Sequence, residues 1–140
     1  MKRIVCDTNI LVSGLLWQGA PRRLLTGIEQ GKLSLFTSRE LLEELDRVLS
    51  YRRLAVIFGK AGVTRKDVLR WAVRNATIVM AKPLNRVVVT DDPSDDHVLA
   101  CAVSASADVI VSGDKHLLSL GKHDGIPIMK AAGFLEKDDG

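Results

Sequence analysis

Several things are scarce in this chain of 140 residues, and each absence narrows the possibilities. Cysteine occurs only at Cys6 and Cys101, with neither the spacing of a metal site nor that of a redox pair, so both read as buried thiols in a reducing compartment. The three histidines, His97, His116 and His123, are scattered and read as surface or helix-end residues rather than ligands. No apolar run approaches the roughly 20 residues that a membrane-spanning helix needs. The hydrophobic start, residues 4–16, is interrupted by Asp7 and Asn9, which a signal peptide would not tolerate, so a cytoplasmic protein is expected. Gly59 and Gly62 lack the spacing and strand context of a phosphate-binding loop. There is no internal repeat and no low-complexity segment.

What is present is ordinary for one compact domain: 46% hydrophobic and 26% charged residues. A single domain over residues 1–136 is expected, with a polar tail at 137–140. The formal charge of +3 and the pI near 9.0 favour a polyanionic partner. Charge is also unevenly distributed. Between residues 51 and 75, seven cations face one acid, Asp67, whereas Asp91, Asp92, Asp95 and Asp96 crowd into six residues at the mouth of a predicted helix. Such carboxylates repel one another unless something positive lies between them.

The hydrophobic pattern alternates strand and helix. Short apolar runs at 3–6, 33–36, 77–80, 87–89, 109–111 and 126–129 read as strands. Pro21 opens a helix carrying Leu24, Leu25 and Ile28, which Gly31 stops. Thr37 with Glu40 reads as a capping box for a helix reaching Leu49, on which Glu43 faces water and Glu44 lies at the border of the apolar stripe. Thr64 with Asp67 reads as a second capping box, which sets Lys66, Arg70 and Arg74 along one helical face, either a solvated surface or a track for phosphates. A helix is predicted over 94–106, with Asp95 on the side of Val98, Leu99 and Ala102. The alternation predicts an α/β fold with a mostly parallel sheet.

In such a fold, sites form at the carboxyl ends of strands. Asp7 follows the first strand, Asp114 follows a late one, and Asp95 or Asp96 opens a helix. Each has a plain structural alternative, a turn for Asp7 and helix caps for Asp95 and Asp114. Brought together without histidine or thiolate, three or four carboxylates suit a hard ion, Mg²⁺ or Mn²⁺, rather than zinc. Trp17 and Trp71 read as packing residues.

These residues carry a resemblance. Asp7-Thr8-Asn9, Ser38 with Glu44 in its Leu-Leu-Glu-Glu-Leu helix, the run from Asp92 through Asp95-Asp96-His97 to Ala100, and Val111-Ser112-Gly113-Asp114 through Leu118 resemble the PIN-domain ribonucleases in order and spacing. The match covers nearly the whole chain and looks most like the toxin components of prokaryotic toxin–antitoxin systems, related to the VapC toxins. The resemblance implies a three-layer α/β/α fold and a Mg²⁺- or Mn²⁺-dependent endoribonuclease, commonly a homodimer neutralised by an antitoxin protein. It implies Asp7, Glu44, Asp95 and Asp114 as the acidic quartet, with Asp96 a close second to Asp95. Thr8, Asn9 and Ser112 would support the metal ligands, Ser112 standing where relatives usually carry threonine, and Lys66, Arg70 and Arg74 would hold RNA. Two other readings compete: a non-catalytic PIN-like RNA-binding or scaffold protein, and a haloacid-dehalogenase-type phosphatase. The phosphatase wants a second aspartate where this chain has Asn9.

Overall fold

The computed structural model describes residues 1–84, Val88 and 93–138. Its organising element is β1 (Lys2–Cys6), whose Ile4, Val5 and Cys6 are all buried because helices cover both faces of the sheet there. β1 pairs in parallel with β2 (Leu33–Ser38) on one side and β4 (Val109–Val111) on the other. β3 (Ala76–Val79) extends the sheet beyond β2, and β6 (Ile126–Met129) extends it beyond β4. The order is β3-β2-β1-β4-β6-β5, with the two-residue β5 (Lys122–His123) the one antiparallel strand among the described residues. The direction of the chain across the sheet reverses between β1 and β4, and that switch point is where α/β sheets open a crevice.

Alternation along the strands sorts the core into two layers. Ile4, Cys6, Leu33, Leu35, Val109 and Val111 face one side, where α1 (Thr8–Leu16), α2 (Ala20–Glu29), α4 (Arg52–Lys60), α5 (Arg65–Asn75) and α8 (Ala131–Asp138) pack. Val5, Phe36 and Ile110 face the other, beneath α6 (Pro93–Ser104) and α7 (Lys115–Leu120). α3 (Arg39–Leu49) belongs to both, giving Leu41 to one cluster and Leu45 and Leu49 to the other. The fold is the expected three-layer α/β arrangement.

Several local expectations need correction. β2 continues two residues past Phe36, so Thr37 is in the strand and Ser38 caps α3 by accepting from the Leu41 amide at 3.3 Å; the Thr37–Glu40 capping box does not form. Thr64 and Asp67 do form theirs. α4, β5 and α8 were not anticipated, and α8 carries Lys137 and Asp138, the first two residues of the expected tail. Trp17 is 52% exposed rather than packed, whereas Trp71 packs against the core and donates its indole N–H to Glu29 at 2.9 Å. Apart from Val88, the expected strand at 87–89 lies outside the described residues, as do Asp91 and Asp92.

Candidate metal centre

The carboxyl ends of β1 and β4 are neighbours, since Cys6 is paired with Val111 and the Asp7 amide donates to the Val111 carbonyl at 3.2 Å. Both chains turn directly into helices there, and each turn needs an N-cap. Asp7 supplies one, its Oδ1 accepting from the Ile10 amide at 3.0 Å. Asp114 supplies the other, its Oδ1 accepting from the amides of His116 at 2.8 Å and Leu117 at 3.3 Å. The plain capping roles are therefore real for both residues. They do not exhaust them, because both side chains also line one cleft.

That cleft, of about 50 Å³, is bounded by Asp7, Thr8, Asn9, Glu44, Val48, Asp95, Val98 and Asp114. It gathers the four acids of the expected quartet from four elements. α6 contributes Asp95, 6% exposed, on the same side as the buried Val98, Leu99 and Ala102. α3 contributes Glu44 from the border of its apolar face, while Glu43 points to solvent and pairs with Arg39. Asp96 is not in the lining of the cleft, and its Oδ2 accepts from the Val88 amide at 3.1 Å. His97, His116 and His123 are absent from the lining.

Two hydroxyls organise the acids. Ser112, fully buried, donates to Asp7 Oδ2 in a short hydrogen bond, and its own oxygen accepts from the Asp114 amide at 3.0 Å. One hydroxyl thus fixes Asp7 against the turn that carries Asp114. Thr8, also buried, donates to Glu44 Oε2 at 3.1 Å and ties α3 to the start of α1. Asn9 lies exposed at the rim. Burial pushes the Asp7 carboxyl above its ordinary pKa; the hydrogen bonds from Ser112 and Ile10 draw it back, and the charges of Asp114 and Glu44 push it up again. The two cysteines stand apart from this chemistry. Both are buried and free, and burial holds the Cys6 thiol protonated and raises that of Cys101 to about 12.

Among the described residues no three carboxylates, imidazoles or thiols already converge on one point as metal ligands. The donor set nonetheless fits a hard cation. Among the described residues every charged group on the cleft is a carboxylate and no cation lines it, and its small volume suits an ion with a water better than an organic ligand. Asp95 has other interactions, but its Oδ2 atom is shielded from water with no hydrogen-bond donor beside it. Capping engages Oδ1 of both Asp7 and Asp114, which keeps those carboxylates fixed while charge collects between them.

The expected phosphate track sits elsewhere. Lys66, Arg70 and Arg74 are exposed on α5, and none of them lines the cleft. Arg70 and Arg74 instead border a groove of about 430 Å³ with Glu29, Asp67, Trp71 and Asn75, which sequence reasoning did not foresee.

No curated protein matches the chain. Among solved structures, the crystal structure of PAE2754 from Pyrobaculum aerophilum superposes with a TM-score of 0.59 at 19% identity, covering 97% of this chain and 96% of that one, a likeness of fold. A family model described as PIN domain matches residues 3–116, a span that takes in every acid of the cleft and its supporting hydroxyls. On that match the chain belongs to the PIN domain family, whose members are typically nucleases.

Proposed function

We propose that the protein is a Mg²⁺- or Mn²⁺-dependent endoribonuclease. The single observation that supports this best is the gathering of Asp7, Glu44, Asp95 and Asp114 on one cleft at the switch point of the sheet. Asp7, Asp95 and Asp114 are the residues that would hold the ion. When bound, such an ion supplies positive charge against the phosphoryl oxygens and makes water a better nucleophile. The chain's own work is positional. Ser112 keeps Asp7 and the Asp114 turn in a fixed relation, so the two carboxylates cannot relax apart under their mutual repulsion. Glu44, anchored through Oε2 by Thr8, offers its other oxygen to orient the attacking water. Asp96, engaged with Val88, has a lesser part in ligation than Asp95.

The test is cleavage of a mixed-sequence single-stranded RNA with Mg²⁺, with Mn²⁺ and with EDTA, wild type beside Asp7→Asn. Cleavage that needs both metal and Asp7 is expected. Wild-type activity in Asp7→Asn would remove that residue from the reaction, and failure to bind metal by calorimetry would favour an RNA-binding scaffold. The sequence resemblance to the toxin branch supports a homodimer and a cognate antitoxin partner. Light scattering that gives a monomer mass at working concentration would overturn the dimer. The buried free thiols suit the reducing cytoplasm.

A further inference from the structure

The basic face of α5 lies apart from the cleft, since Lys66, Arg70 and Arg74 are not in its lining and α3 packs between the two. On α3, Glu44 and Val48 border the cleft. Asp46 lies about 200° around the helix from Glu44, on the opposite side. It is Asp46 that receives α5, through an ion pair with Arg65 at 2.6 Å. A body about 10 Å across therefore separates cleft from α5.

The groove on α5 sets two guanidinium groups beside two carboxylates, and it is the carboxylates whose hydrogen bonds are already taken up. Asp67 is engaged by its capping box with Thr64, and Glu29 accepts from the Trp71 indole. Asn75 is fixed by donating to the Trp71 carbonyl at 2.9 Å. Arg70 and Arg74, by contrast, make no hydrogen bond or ion pair with the described residues, although each is long enough to do so. Two guanidinium groups without hydrogen bonds to the described residues, Arg70 drawn electrostatically to Asp67 and Arg74 further along the helix, lie beside an indole over a volume within the range of ligand pockets, an arrangement that suits the phosphates and base of a nucleotide.

We infer that this groove is an exosite for nucleotides several positions away from the scissile bond, and that the protein consequently acts on strands long enough to pass around α3. The inference rests on the nuclease reading and gives it a substrate class: an extended single strand rather than a short oligonucleotide. At the roughly 3.4 Å rise of a stacked strand, crossing about 10 Å takes at least about three nucleotides. A substrate of four residues engages cleft or groove, and one of about twenty engages both.

The experiment compares kcat/KM for a four-nucleotide and a twenty-nucleotide RNA carrying the same central sequence, in wild type and in R70Q/R74Q, with thermal melts to confirm folding. The expected result is at least a tenfold wild-type advantage for the long strand, falling to near onefold in the double variant. An unchanged ratio would overturn the exosite. Binding gives an arm that does not depend on cleavage: the salt dependence of anisotropy with a labelled twenty-nucleotide RNA. Losing two phosphate contacts should reduce the slope of log K against log salt by about 1.4. If wild type cuts neither RNA, the nuclease reading fails, and this slope decides the groove alone. An unchanged slope would then dismiss the groove as well.

Discussion

Ser112→Ala should uncouple the two halves of the acidic cleft at a measurable cost. The side chain is fully buried and its oxygen takes part in two hydrogen bonds, donating to the Asp7 carboxylate and accepting from the Asp114 amide. Alanine leaves a buried carboxylate oxygen and a backbone donor unsatisfied together. A hydrogen bond to a charged group is worth about 1.5–3 kcal/mol and the part-buried Asp114 donor adds about 1 kcal/mol, so a combined loss of about 3 kcal/mol is expected. For a domain of this size that corresponds to a fall in Tm of about 10 °C. The loss should also depend on pH. The Ser112 bond holds down an Asp7 pKa that burial has raised, so removing it raises the folded-state pKa further. Below the pKa of Asp in the unfolded chain, both states are protonated and what remains is mainly the pH-independent loss of the Asp114 amide's partner. As pH rises through the wild-type folded pKa and then through the higher one of the variant, the native variant must bear an unsupported buried carboxylate and the penalty grows to its full size. Urea denaturation in EDTA between pH 4 and pH 8 measures it, with Ser112→Thr alongside as the variant that keeps the hydroxyl. A loss under about 0.5 kcal/mol at pH 7, or one that is the same at both ends of the range, would refute the reasoning.

Asp7→Asn should abolish metal-dependent cleavage yet raise the melting temperature of the metal-free protein at neutral pH, because the amide still caps α1 and the raised Asp7 pKa marks a carboxylate that is costly to bury ionised. The gain should vanish as pH falls below the unfolded Asp value; a variant that melts lower than wild type at pH 7 would contradict it. Thr8→Val should cost about 1 kcal/mol through its lost hydrogen bond and lower kcat by releasing Glu44, which denaturation and steady-state kinetics would read separately. Asp95→Asn should eliminate activity while Asp96→Asn retains most of it, since only Asp95 lines the cleft; equal losses would reverse that assignment. Gly14→Ala should destabilise by about 1–3 kcal/mol, because a Cβ there would lie 2.5 Å from Leu25 Cδ1 and 2.9 Å from the Pro21 carbonyl oxygen, and urea denaturation would show it.

What the sequence made legible, and what it hid, follows from how each signal is generated. β4 was readable to the residue because a strand covered on both faces must be a short apolar run between polar breaks, and β6 because its Ile126 and Ile128 are buried between such breaks. Glu44 was placed correctly by its angle on α3, as Asp95 was by its position beside Val98 and Leu99. α4 escaped notice because Phe58 is its one buried side chain and Tyr51 offers no side-chain cap, leaving a short i, i+3, i+4 pattern at Leu54, Ile57 and Phe58 without a start signal. Thr37 and Ser38 are adjacent hydroxyls, and the Glu40 spacing favoured the wrong one; the length of β2 decided between them. The orientation of the basic stripe was beyond reach, because a helical wheel shows which residues share a face but not what that face meets. The pair between Arg65 and Asp46 supplied the answer.

Asp7 and Asp114 serve the helices as well as the cleft, and this double employment has an evolutionary consequence. A lineage that no longer needed the reaction could not discard either side chain freely, since alanine at a cap costs about 1 kcal/mol of a small margin of stability. Asparagine would be the neutral exit, because it caps equally well and removes the repulsion. Decay of the activity would therefore be written first as amides at positions 7 and 114, the two positions where this chain carries acids.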